Sequence, residues 1–339
     1  MYVINRMFSN QEQANIFQRI FKQERSVGKW KCMCDDCHEP AINSHLLQKH
    51  GILDNITEDG HMYELVPIPA DILYSRLENS DGLIVNFKKV GINNAISWPL
   101  FCDKDDTRLF ADIEKRILDC SNYRNQLLFS YRAVCGELRK TEIEYRTLER
   151  SLKECSYDNP LDIRKIKERM YGLGQTINDY TFYKKELEAE LKLRNDRFIF
   201  RHYSYPVLKI YASTAFSYVV YDTQKETDSL PWECCFLHII PQPNSTEFII
   251  GYHQSRTNPY LEKYVTDWKG LTKSGLEEML CDFCTIRAAG WGMSPSLYNK
   301  IGADKIKDYL LTFQYYGNCH DARCFYGKGI FEGELLDSV

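Results

Sequence analysis

The chain has 339 residues, 44% of them hydrophobic and 27% charged, enough for two or three soluble domains and without an apolar run of membrane-spanning length. Its 43 basic and 47 acidic residues leave a formal net charge of −4, which excludes a global basic field, so any nucleic-acid surface must be local. Its 13 cysteines accompany an N-terminus that does not read as a signal peptide; they point to metal binding or buried small side chains in a cytoplasmic protein rather than to disulfides.

Taken in order, residues 1–30 read as a leading amphipathic helix with Ile16, Phe17, Ile20 and Phe21 on one stripe. Residues 31–111 read as an irregular module of short strands, punctuated by turns at Glu58-Asp59-Gly60, at Asn79-Ser80-Asp81-Gly82 and at Gly91. Residues 112–198 predict a long antiparallel helical hairpin. Its first arm has apolar positions at helical spacing from Ile113, Ile117 and Leu118 through Leu127, Leu128, Tyr131, Val134 and Leu138, and its second runs from Ile163 and Ile166 to Ile177 and Tyr180. CSYDNP at 155–160 breaks the two, because Pro160 cannot continue a helix but can start one. Gly172 and Gly174 are candidate kinks in the second arm.

From residue 199 the period shortens. FIFRHYSYPVLKIYASTAFSYVVY and CCFLHIIPQPNSTEFIIGYH read as strands, with Pro-Gln-Pro-Asn as a hairpin turn in the second. Two helices follow, LTKSGLEEMLCDFCTIRAAGW and SPSLYNKIGADKIKDYLLTFQYY, the latter opened by Ser294-Pro295. Residues 199–339 thus form a small α+β domain, and the whole chain is of the α+β class.

KCMCDDCHEPAINSHLLQKHG at 31–51 carries the chemistry. Cys32 and Cys37, with Cys34 between them, form half of a tetrahedral zinc site, since thiolates are soft ligands that suit this ion. The other half is sought in LFCDKDDTRLF at 100–110, where Cys102 and Asp105 stand one helical turn apart. Three cysteines among Asp35, Asp36 and Lys31 are poor core material, and zinc would help fold a segment with few apolar residues. Cys34 and His38 are the nearest substitutes for Asp105 as a fourth ligand.

The string C-x4-C-x3-AI-x-SH, then Leu53, GHMY at 60–63 and FC-x2-DD-x2-LF, resembles a group of bacterial proteins with the pattern Cys-x4-Cys, Ser-His, Gly-His-x-Tyr and Phe-Cys-x2-His-Asp. It also resembles, more loosely, the zinc-stapled HNH endonuclease (treble-clef) module. The resemblance implies structural zinc on Cys32, Cys37, Cys102 and Asp105, the last standing where the pattern has histidine. It further implies His45 as general base, Asp106 at the position that holds a catalytic Mg2+ or other divalent cation, and Asn94 (or Asn93) as the central asparagine. Two functions follow. One is a metal-dependent nuclease acting on DNA or RNA, in bacterial phage defence. The other is a catalytically inactive zinc-stabilised module that binds nucleic acid or a protein partner, the helical hairpin offering a surface for a partner or a second copy.

The remaining motifs read more plainly. His50 and His61 flank LDNITEDG, His61 being either a companion to His45 or a solvent-facing residue beside a turn. Cys281 and Cys284, with Cys319, His320 and Cys324, are either a second zinc site or, for the first two, packing on an apolar helix stripe. Alternating charge in RTLERSLKE and YKKELEAELKLRNDR reads as solvated helix faces.

Overall fold

The computed structural model describes residues 11–67, 83, 85–115, 118–157, 159–220, 231–288, 290–317 and 319–333. The turn expected at 79–82, and Ile117, lie outside them. Among the described residues the leading helix is α1, Gln11–Glu24, which ends before the expected residue 30; Phe17 and Ile20 are buried while Ile16 and Phe21 are half-buried, and the helix lies against the first arm of the hairpin.

That hairpin is formed by α3, Tyr123–Glu154, and α4, Pro160–Leu193. Asn159 caps α4 by accepting from Leu161 N at 3.0 Å, with Pro160 at the first helical position. The helix then runs through Gly172 and Gly174 without a break. The expected start near Ile113 is replaced by turns at 111–115, and Asn122 supplies the real N-cap by accepting from Asn125 N at 3.2 Å. Every residue from Asn125 to Arg139 is buried, because α3 is enclosed by α1, α4 and the main sheet, whereas Arg146, Lys153 and Glu154 of RTLERSLKE are exposed. The buried charges on it are paired: Glu144 with Arg169 at 2.8 Å, and Glu137 with Lys140 at 2.9 Å and Thr214 at 3.0 Å.

The main sheet has seven strands in the order β3-β2-β9-β6-β7-β8-β5: β2 His61–Pro67, β3 Val85–Gly91, β5 Phe198–Tyr205, β6 Ile210–Ser217, β7 Cys234–Pro241, β8 Thr246–His253 and β9 Trp291–Met293. All its pairings are antiparallel. β7 and β8 turn through residues 242–245, as Pro-Gln-Pro-Asn predicts, closed by Gln242 N to Ser245 O at 2.8 Å. On β7, Cys234, Phe236 and Ile240 face α3, while Cys235, Leu237 and Ile239 face the opposite core. This two-sided burial makes Cys234 and Cys235 packing residues.

The second face is covered by α5 Pro259–Asp267, α6 Lys273–Asp282, α7 Pro295–Ile301 and α8 Ala303–Tyr316. Helix α5 was not anticipated, although Asn258-Pro259 repeats the Asn-Pro start of α4. The last expected helix divides in two at Gly302, whose φ of +82° stops α7. Short β9 joins the halves of the sheet, pairing β2 through Tyr63↔Met293 and β6 through Ile210↔Met293. Strands from residues 31–111 and from 199–339 therefore share one sheet. Gly292 is required there, since a Cβ would stand 2.4 Å from the Tyr211 ring opposite it. Tyr211 in turn donates to the buried carboxylate of Glu64 at 2.7 Å, which also accepts from Ile96 N at 2.7 Å, locking the next segment in place. No helix among the described residues is long and apolar enough to cross a membrane.

Candidate metal centre

Asn43–His45 forms β1, paired antiparallel with β4, Ser97–Pro99. Beyond this two-stranded ribbon, Ile42 N donates to Phe101 O at 2.7 Å and Met33 N to Leu100 O at 2.8 Å. These bonds carry the cysteine loop across to residues 100–102. The loop is closed by Cys32 N to Glu39 O at 2.8 Å and Cys37 N to Cys34 O at 3.2 Å. Asp36 takes the left-handed conformation, φ 66°, that the tight turn needs. Cys102 is the N-cap of α2, Asp103–Phe110, its sulfur accepting from Asp105 N at 3.4 Å.

Ligand atoms of Cys32, Cys37, Cys102 and Asp105 all lie within 4.8 Å of one another. Cys37 Sγ and Cys102 Sγ are 3.8 Å apart, and Asp105 Oδ2 is 3.4 Å from Cys32 Sγ and 3.3 Å from Cys102 Sγ. A tetrahedral zinc, with Zn–S near 2.3 Å and Zn–O near 2.1 Å, sets S···S edges of about 3.8 Å and S···O edges of about 3.6 Å. The set thus has zinc-like dimensions, and three sulfurs with one carboxylate match this borderline-soft ion better than a hard cation.

The electrostatics point the same way. Hydrogen bonds from the thiols, Cys37 first, hold the Asp105 carboxyl down to about 2. The same bond pushes the Cys37 thiol up to about 12, burial raises that of Cys102, and Cys32 is raised chiefly by its contact with the Cys34 thiol. One carboxylate is sharing the protons of its sulfur neighbours. Those are the protons that a bound divalent cation would displace. Arg108 steadies the other carboxylate oxygen at 3.1 Å. Cys34, half-buried beside Cys32, and exposed His38 stay outside the set.

The knuckle is fastened to the hairpin as well. Lys184 of α4 pairs with Asp35 at 2.8 Å and Glu188 at 2.7 Å, and Tyr131 of α3 donates to Glu188 at 2.6 Å. Leu46 packs directly on Gly136 of α3, where a Cβ would stand 2.8 Å from its methyl carbon.

His45, at the end of β1, is half-buried with Nε2 3.2 Å from Ile92 O. Burial first, then the charge of Lys49, lowers its pKa. Asp106 is engaged by Arg132 at 3.2 Å and by the Ser44 hydroxyl, while burial raises its pKa. Arg132 is only 1% exposed; it also pairs with Glu114 at 2.8 Å and lies 3.8 Å over the Phe110 ring. The sequence reading overlooked Arg132, although a lone arginine inside LLFSYRAVC is a signal that something buried balances it. Asn93 and Asn94 are exposed, the Asn93 side chain accepting from Lys49 at 3.2 Å. His61 is exposed and bonds to Asp59 O at 2.6 Å, and His50 to Asp54 at 3.0 Å, each beside its own turn. Cys281 and Cys284 are 1% and 0% exposed within the apolar core, which is the packing alternative; the four-residue set is the one metal-sized group among the described residues. No protein-family model matches the chain, and neither does any curated protein or solved structure.

Proposed function

We propose that this is a zinc-stabilised binding protein in which the HNH-like site is kept as a scaffold without hydrolytic activity, its ligand being nucleic acid. The zinc part of this reading is supported by three edges of the Cys32–Cys37–Cys102–Asp105 set, 3.8, 3.4 and 3.3 Å, which are close to those of a zinc tetrahedron. The inactive part rests on Arg132. A buried guanidinium on Asp106 already neutralises the carboxylate that a catalytic cation would need. His45 Nε2 can only donate to the Ile92 carbonyl, which orients the ring and leaves Nδ1 as its acceptor nitrogen, so the case against hydrolysis stands on Arg132 and not on His45. Nucleic acid is the ligand class that the HNH resemblance implies, and Lys49, His50, Asn93 and Asn94 provide polar groups around that end of the module.

The competing reading is a metal-dependent nuclease using His45, Asp106 and Asn94 with Mg2+. The two are separated by incubating the zinc-loaded chain with labelled DNA and RNA in Mg2+ or Mn2+ and, in parallel, measuring mobility shift in EDTA too brief to strip zinc. Retarded but intact nucleic acid is the outcome expected here. Cleavage abolished by His45→Ala would overturn the inactive reading, and intact, unretarded DNA and RNA would overturn the choice of ligand.

A further inference from the structure

The open end of the hairpin, where α3 begins and α4 ends, encloses a cavity of about 220 Å³. Glu190 of α4 lines it and is 0% exposed. Its Oε1 accepts from the Tyr123 hydroxyl at 3.2 Å and from Asp196 N at 2.7 Å. Oε2 is equally buried and accepts from nothing among the described residues. A carboxylate shut away from water with one oxygen unfilled and no cation paired to it is uncommon in a folded interior. Three more charges surround the cavity. Arg124, in the first turn of α3, donates Nη1 to Leu191 O at 3.3 Å and Nε to Asp112 at 3.4 Å. Beyond α4, Arg194 and Asp196 both take the left-handed conformation, with φ of 51° and 53°, and Arg194 N closes the helix on Glu190 O at 3.0 Å. Both residues are exposed. Among the described residues, neither the Arg194 guanidinium nor the Asp196 carboxylate has a hydrogen bond or an ion pair. Leu127 and Leu191 supply an apolar wall.

We infer that this cavity binds a small aliphatic α-amino acid in its zwitterionic form. Two carboxylates and two guanidinium groups border one small space, so a bare cation would meet the arginines and a bare anion would meet Glu190 and Asp196. A ligand with one charge of each sign satisfies both pairs. Its ammonium sits against Glu190 and Asp196 and gives the unfilled Oε2 a charged donor. Its carboxylate sits against Arg194 and Arg124, whose planar donors suit it, beside the N-terminus of α3, where the helix dipole also favours an anion. Its side chain lies on Leu127 and Leu191. The volume holds roughly seven waters at ~30 Å³ each and falls below the range of drug-sized ligands, which restricts the class to short side chains.

The test is isothermal titration of the full chain with L-alanine and L-valine, and then with isobutylamine and isovalerate, which are valine without its carboxylate and without its ammonium. Saturable one-to-one binding of at least one of the two amino acids is expected, with each analogue weaker than valine by at least about tenfold. Arg194→Gln and Asp196→Asn should each weaken amino-acid binding by a similar factor. Both sites are exposed and their side chains have no partner to lose, and asparagine tolerates the left-handed backbone of residue 196, so both variants should keep the wild-type unfolding temperature. No binding of either amino acid would overturn the inference. Isobutylamine or isovalerate binding as tightly as valine would overturn the zwitterion, and unchanged affinity in both variants would overturn the location.

Discussion

Asp105 stands where the resembling pattern has histidine, and it closes the metal set by its position one turn after Cys102. Cys34 is the softer ligand but leans on Cys32 from outside the set. Asp105→Ala should therefore weaken zinc retention by at least about tenfold, while Cys34→Ser should leave it nearly unchanged, as read by competition with a chromogenic chelator. The reverse order would move the fourth ligand to Cys34. A second residue makes a pH prediction. His238 is fully buried between Ser130 at 3.2 Å and Ser213 at 3.0 Å, and burial lowers its pKa from 6.5 to about 3. Above about 6.5 both folded and unfolded chains hold it neutral, so its full contribution is present. As pH falls from there toward 3 the unfolded chain takes up a proton that the folded one refuses, and stability is lost. His238→Asn should be less stable at neutral pH, with a gap from wild type that narrows over this window in urea titrations. A gap that stays constant with pH would show that His238 titrates alike in both states.

At the scale of elements, the helical hairpin and its Asn159-Pro160 break were legible because cap, proline and apolar period agree. The same signal at Asn258-Pro259 was passed over because α5 is short and follows the histidine-ended β8 directly. The buried character of α3 was not legible. Its charges Arg132, Glu137 and Glu144 find partners on α2, β6 and α4, which are far away in sequence. Close approach was equally hidden: a glycine within the helical pattern at 136 carries no sign that Leu46 will rest on it. Gly136→Ala forces that leucine aside and should cost about 1–3 kcal/mol, measured by urea unfolding at neutral pH. The module's cysteines were readable because metal ligands obey local spacing, whereas the environment of His45 and Asp106 depends on Arg132, which no local pattern could supply. A neutral effect of Gly136→Ala would mean that the loop after β1 yields easily and does not press the metal module onto α3.

At the scale of the whole molecule, one seven-stranded sheet links the N-terminal strands to the C-terminal ones through the three residues of β9, and α3 fills its inner face. The Cys32–Cys37–Cys102–Asp105 cluster lies outside this sheet, beside the β1–β4 ribbon. It ties the loop at 31–40 to the start of α2, while Lys184 and Asp35 tie that loop to the hairpin. Few apolar residues lie in the loop itself, so under the zinc reading proposed above loss of the ion should loosen the N-terminal third before the sheet. The most direct test is the zinc content of the purified chain and of Cys102→Ser, measured by plasma emission spectroscopy alongside thermal unfolding. About one zinc per chain in the wild type, with little in the variant and a lower first unfolding transition, is the expected result. A wild-type chain without zinc that unfolds at the same temperature as the zinc-supplemented protein would contradict the account.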